Sequence, residues 1–207
     1  MLVAAAGALA VGDWLVVAPG SRAKGAEYLL KPAIMVALIG AAIALDPQRD
    51  GQRAYFVAGL LLSLAGDVFL MLPADLFVAG LASFLLAHLM YSVGFAVAGQ
   101  SAWALVGVGV VVVAAGAIGA RILRAVRAGE HRALVVPVTV YMTAISAMVV
   151  LAIGSGEALA AIGALLFYCS DALIAWDRFV AAKRWARPAI MATYHLAQGA
   201  LVIALAR

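Results

Sequence analysis

Eight apolar runs of about 17–23 residues each, separated by short polar stretches, make up almost the whole chain. They are Leu2–Ala18, Tyr28–Leu45, Ala54–Leu72, Leu76–Ala98, Ala102–Ala120, Ala133–Ala152, Glu157–Trp176 and Pro188–Ala206. At about 1.5 Å per residue, a helix of this length crosses a hydrocarbon layer of about 30 Å. Only helices and closed barrels satisfy every backbone group in lipid, and runs apolar on all faces select the helix. The pattern predicts an all-α polytopic membrane protein with eight transmembrane helices. Its longest polar stretches are about a dozen residues, too short for a folded soluble domain. Residues 1–207 therefore read as one integral membrane domain. The first run lacks a basic leader and a clear small-residue cleavage site, and is read as a span.

Polar residues interrupt these runs at related places. Gly59–Leu72 reads GLLLSLAGDVFLML and Gly163–Trp176 reads GALLFYCSDALIAW. At an offset of 104 residues, Gly59 meets Gly163, Leu61 and Leu62 meet Leu165 and Leu166, and Asp67 meets Asp171. Pro32 in the second run has a counterpart in Pro137 in the sixth, and Ala87-His88-Leu89 resembles Tyr194-His195-Leu196. The similarity predicts a 4+4 internal repeat, 1–98 and 102–207. Four spans per unit is an even number, so the halves run parallel about an axis along the membrane normal. A carboxylate in mid-membrane costs roughly 2.5–3.5 kcal/mol on insertion scales. Two of them at equivalent positions point to a shared carboxylate site.

Charge adds orientation. The chain is 67% hydrophobic and 12% charged, which rules out a soluble fold, and its net charge is +4. Ten basic residues fall in the first, third, fifth and seventh connections: Arg22, Lys24, Arg121, Arg124, Arg127, Arg132, Arg178, Lys183, Arg184 and Arg187. Only Arg49, Arg53 and Arg207 fall on the other side. The positive-inside rule puts the first group in the cytoplasm and both termini outside an inner membrane. The positive charge thus reads as topology and contact with anionic membrane lipids, not nucleic acid. The single Cys169 cannot form an intrachain disulfide.

On this topology the polar residues occupy one layer in the cytoplasmic half. Asp67 and Asp171 each lie five residues from the cytoplasmic end of a span, roughly 7–8 Å deep. Asp13 lies at the same depth, Lys31 nearer the surface, Tyr141, Tyr194 and His195 slightly deeper, and His88 near the midplane. Ordinary roles exist for several of these. Asp13 can hydrate at a helix end, and Lys31 can snorkel to headgroups. His88, Tyr141, Tyr194 and His195 can be packed interhelical hydrogen-bonding groups. Glycines 59, 66, 80, 94 and 163 read as close helix contacts. The two aspartates are too short to snorkel. Histidines on separate spans, with no His-x-x-x-His or Glu-x-x-His, do not predict a metal. No cofactor is expected, and no phosphate-binding loop or serine nucleophile elbow is present.

In order along the chain stand Lys31-Pro32, Gly66-Asp67 and Gly80-x-x-x-Phe84-x-x-x-His88-x-x-Tyr91. Then follow Pro137-x-x-x-Tyr141, Met148, Gly163-Ala164-x-x-Phe167-x-x-Ser170-Asp171 and Thr193-Tyr194-x-x-x-Gln198. In this order and spacing they resemble the YhhN family of membrane proteins, whose animal members are lysoplasmalogenases. His195 departs from the aromatic usual in the family, and Asp13 lies in a span without a family motif. The resemblance implies an eight-span ether hydrolase that cleaves the vinyl ether of alkenyl lysophospholipids to a fatty aldehyde and a glycerophospho-alcohol. It implies Asp67 and Asp171 as acid and base, and Lys31, His88, Tyr91, Tyr141, Tyr194 and Gln198 as substrate-binding residues, with Lys31 toward the phosphate. The alternatives are a small-molecule or lipid transporter, a hydrolase of another lysolipid or ether bond, and a non-catalytic lipid-binding protein.

Overall fold

The computed structural model describes residues 1–18, 24–46 and 51–206, and Arg22, Arg49 and Arg207 of the charge pattern lie outside them. All regular structure among the described residues is helical. Helix α1 is Leu2–Val17, α2 Glu27–Ala44, α3 Gln52–Met71 and α4 Phe77–Val97. Helix α5 is Trp103–Ala128, α6 Val135–Gly154, α7 Ala158–Phe179 and α8 Ala186–Ala204. Of these, α2 to α7 are long and apolar enough to cross a membrane. Helix α1 has only 16 residues, and α8 carries Arg187, Pro188, Tyr194, His195 and Gln198 within its length. Large apolar side chains such as Leu15, Leu29, Val36, Leu61, Leu86, Leu105, Val113 and Val136 face outward, as lipid contact requires. The chain is an integral membrane protein.

Local chemistry explains the helix starts and one correction. Pro188 and Pro137 each stand at the third position of their helices, where no intrahelical N–H bond is lost. The fifth span was expected to end at Ala120, with Arg121, Arg124 and Arg127 in a loop. Instead the helix continues to Ala128 through a π-helical turn at Ala115–Gly119. The reason is spacing. Ile122 and Val126 stand four apart and are buried beside Val138, so an apolar stripe continues while the arginines stay exposed. Arg121 and Arg124 donate back to the carbonyls of Ala117 and Ala120, one turn earlier.

The helices pack in a circuit. Helices α1 to α4 pack consecutively, α4 packs on α6, α6 on α7, and α7 on α8, which returns to α1 and α2. Helix α5 lies outside the circuit along α6, its last turns reaching α7. The interior is aromatic: Phe84, Phe167 and Tyr194 meet edge to face with centroids 5.4–6.2 Å apart. A Cβ on Gly59, Gly66, Gly80, Gly94 or Gly163 would come within 3 Å of a neighbouring side chain, so these positions admit close approach between helices.

Candidate active site

Helix α3 delivers Asp67 into the interior, and α7 delivers Asp171. Asp67 is buried at 1% exposure. Its Oδ1 lies 2.9 Å from Lys31 Nζ on α2, and its Oδ2 accepts the Tyr194 hydroxyl of α8 at 2.7 Å. Lys31 is itself 4% exposed, so its ammonium is committed to Asp67 and does not extend to the surface. Tyr194 is held in turn: Gln198 Nε2 donates to its oxygen at 3.4 Å, and Met35 Sδ lies 3.4 Å away. Gln198 Oε1 accepts the Tyr91 hydroxyl of α4 at 2.8 Å. One chain of contacts therefore links α2, α3, α4 and α8.

Asp171 is built from different groups. Its Oδ2 accepts the Tyr141 hydroxyl of α6 at 2.5 Å, and His88 Nε2 of α4 stands 3.5 Å from the same oxygen. The latter is a contact, too long for a good hydrogen bond. The His88 ring is wedged edge-on between Tyr141 and Phe167, with centroids 5.2 and 4.8 Å away. No lysine or arginine pairs with Asp171 among the described residues. The two carboxyls thus differ in kind: one is in an ion pair, the other is among neutral donors.

Both aspartates open on one chamber of about 540 Å³. Its deep wall carries Lys31, Asp67, Ser170, Asp171 and Tyr194, and its outer wall carries Glu27, Tyr28, Asp177, Arg178 and Arg187. An apolar crevice adjoins it, lined by Leu81, Ile118, Ile122, Val138, Met142 and Ile145 among others. The chamber and crevice share Leu70, Phe77, Phe84, Asp171 and Ile174. Asp171 therefore stands where polar space meets apolar space, while Asp67 faces the polar chamber alone. Gly66, just before Asp67, lets the Phe84 ring lie against α3.

All eight residues expected at a site fall into these two contact groups. His195 does not: it accepts the Trp14 indole N–H at its Nδ1, 3.1 Å away, and lines a separate apolar groove with α1 and α2. Asp13 is fully buried, and its oxygens have no hydrogen-bond partner among the described residues. Glu27, Arg178 and Arg187 were not expected. Arg187 Nη2 contacts Glu27 Oε2, and Arg178 makes two bonds to Asp75, at 3.1 and 3.2 Å, while lying 4.0 Å over the Phe77 ring. Those bonds from Arg178 hold the exposed Asp75 carboxyl below its ordinary value. Spacing carried a signal for them. Arg178 follows Asp171 by seven residues and Arg187 precedes Tyr194 by seven, so each shares a helix face with a site residue.

A profile of the YhhN family matches residues 26–205. A protein of Mycobacterium bovis named lysoplasmalogenase is 34% identical over 193 residues, covering 86% of this chain and 73% of the relative. A Mycobacterium tuberculosis protein of the same name matches equally. The human protein named lysoplasmalogenase TMEM86B is 31% identical over 170 residues, covering 82% of this chain and 71% of the relative. No solved structure is a significant match.

Proposed function

The chain belongs to the YhhN family, and from that premise we propose that it is a lysoplasmalogenase-type ether hydrolase using Asp171 as acid and Asp67 as base. The observation that carries this reading is the unlike pairing of two carboxyls on one chamber, Asp67 buried and Asp171 partly exposed to it. Lys31 at 2.9 Å is a counter-charge for Asp67 as a carboxylate. Among the described residues Asp171 has a phenol and an imidazole beside it and no cation, so it can carry a proton without leaving a lysine unpaired.

The substrate fits the topography. The alkenyl tail lies in the apolar crevice and the glycerophospho group in the chamber, so the vinyl ether spans their junction at Asp171. Hydrolysis of an enol ether begins with protonation of the tail-side β-carbon. Asp171 gives that proton, and the adjoining carbon becomes an oxocarbenium ion. Water on the chamber side attacks that carbon and passes a proton to Asp67, forming a hemiacetal. Asp67 then protonates the glycerol oxygen as its bond to carbon breaks, and Asp171 takes the hemiacetal hydroxyl proton. Aldehyde and alcohol leave, and both carboxyls return to their starting states. One carboxylic acid and one carboxylate on an oxocarbenium-like path is the arrangement that glycoside hydrolysis uses. The Phe84 ring, which borders both chamber and crevice, walls the cationic carbon from other nucleophiles.

Eight spans in two parallel halves form part of this reading. Asp67 is completed by the second helix of its own half and the fourth of the other. Asp171 is completed in the same way, by α6 and α4. The packing of α4 on α6 and of α8 on α2 has the same two-fold form. With the basic ends cytoplasmic, the chamber opens toward the inner leaflet. The test is purified protein with alkenyl, alkyl and acyl lysophospholipids. Aldehyde from the alkenyl lipid alone is expected. Free fatty acid from the acyl lipid, or no product from any, overturns the assignment.

A further inference from the structure

With Lys31 committed to Asp67, the deep wall of the chamber has, among the described residues, no cation left for an anionic headgroup. The outer wall does. Arg187 stands in the first turn of α8 with its side chain 58% exposed, touching Glu27 through Nη2 alone. A guanidinium has five N–H donors in a fixed fork. Most of those on Arg187 therefore remain available at the chamber mouth. We propose that Arg187, assisted by Arg178, is the phosphate site of this chamber and takes the phosphodiester of a lysophospholipid headgroup.

The spacing matches that ligand. Glu27 and Lys31 are four residues apart on α2, so the Glu27–Arg187 contact lies about 6 Å along the helix from the Lys31–Asp67 pair. In a 1-alkenyl glycerophospholipid, five single bonds separate the ether oxygen from phosphorus. At about 1.5 Å per bond and tetrahedral angles, the extended reach is also roughly 6 Å. An ether at the aspartates thus puts the phosphate at Arg187. Arg178 lies two turns beyond Asp171 on the same face of α7 and lines the same chamber. Two of the chamber carboxylates are offset by cations, Asp67 by Lys31 and Glu27 by Arg187. Asp171 is the proton-bearing acid of the proposed mechanism, and Asp177 is turned to the backbone N–H of Lys183 at 2.7 Å. Glu27 holds the Arg187 fork in place until a phosphate shares it, and guanidinium–phosphate pairs are among the strongest charge-assisted bonds.

This inference builds on the hydrolase reading, but its test does not need turnover. The probes are a 1-alkyl glycerophosphoethanolamine, whose saturated ether cannot be protonated at carbon as an enol ether is, and the matching 1-alkylglycerol without phosphate. Equilibrium binding of each to purified protein is measured in detergent. The phosphate-bearing probe should bind more tightly. Arg187→Gln should reduce that preference about 10–100-fold, the worth of a hydrogen-bonded charge pair. Arg178→Gln should act more weakly, because Asp75 and Phe77 already hold its guanidinium. Glu27→Gln separates binding from scaffolding. It frees Arg187 and should tighten the phosphate probe, whereas loss of a merely structural α2–α8 clamp would weaken both probes in both variants. Equal binding of the two probes to the unaltered protein overturns the proposal, as does an Arg187→Gln protein that keeps the preference. If glycerophosphoethanolamine alone displaces the probe as well as the full lipid does, the site serves free phosphodiesters and the lipid assignment fails. Absence of aldehyde in the turnover assay would instead overturn the hydrolase reading and leave these binding results standing.

Discussion

Replacing Lys31 by methionine removes a cation and keeps most of the side-chain volume, which isolates the charge. The Nζ lies 2.9 Å from Asp67 Oδ1, with the two side chains 5% and 1% exposed. At an effective dielectric of about 20, two charges at that distance attract by about 6 kcal/mol. Desolvation offsets much of this, so the net value of the pair is small. Removing one partner is different, because the other remains buried and unpaired. Such a loss typically costs about 3–5 kcal/mol. The Tyr194 hydroxyl at 2.7 Å stays but supplies no charge. For a chain of this size, each kcal/mol moves the melting temperature by about 2–4 °C, so Lys31→Met should melt about 6–20 °C lower in detergent. Adding Asp67→Asn removes the stranded charge and should recover at least half of that loss. A double-mutant cycle on thermal unfolding measures the coupling directly. The double variant should be stable and inactive. A single variant melting within about 2 °C of the parent would refute the argument. So would a double variant no more stable than Lys31→Met.

Asp171→Asn should fold and lose about 10²–10⁴ in aldehyde release, the usual worth of an acid–base group, and near-normal release would end its role as proton donor. Asp67→Asn should lose turnover similarly, and should retain binding of the saturated ether probe, since Tyr194 and the crevice persist. In Gly66→Ala the new Cβ would stand 2.6 Å from Phe84 Cδ2 and 2.7 Å from Cε2. Unfolding should show a cost of about 1–3 kcal/mol from that overpacking, together with slower turnover because Phe84 borders both chamber and crevice. A reporter that works only outside the cytoplasm should be active when fused to the C-terminus, and cytoplasmic activity there would invert the proposed orientation.

Much of the fold was legible because lipid makes two demands that leave marks in composition. Long apolar runs must be helical, and a buried carboxylate must be useful or lost. Asp67, Asp171 and the tyrosines stood out against their apolar surroundings for that reason. The lateral arrangement was not legible. Nothing in the runs themselves says that α5 leaves the circuit and α4 packs on α6. The extension of α5 was hidden by its arginines, which read as a loop until Ile122 and Val126 are seen to share a buried face. Lys31 looked able to reach headgroups because length alone permits snorkelling, yet Asp67 holds it inside. Arg178 and Arg187 were masked by the positive-inside pattern, since a residue serving topology looks the same as one facing a chamber.

The crossing of partners between the two ends of the chain makes the proposed active centre a product of association. Asp67 accepts the Tyr194 hydroxyl and Asp171 abuts the His88 ring, so each aspartate has a neighbour encoded more than one hundred positions away in one case and over eighty in the other. A chain severed in the turn between α4 and α5 would yield two fragments, each with an acid and neither with a finished environment. Co-expressed, they would have to find one another in the plane of the bilayer before either carboxyl acquired its proper neighbour. Activity of the proposed kind would then report fragment pairing, and a fragment that escaped its mate would be inert.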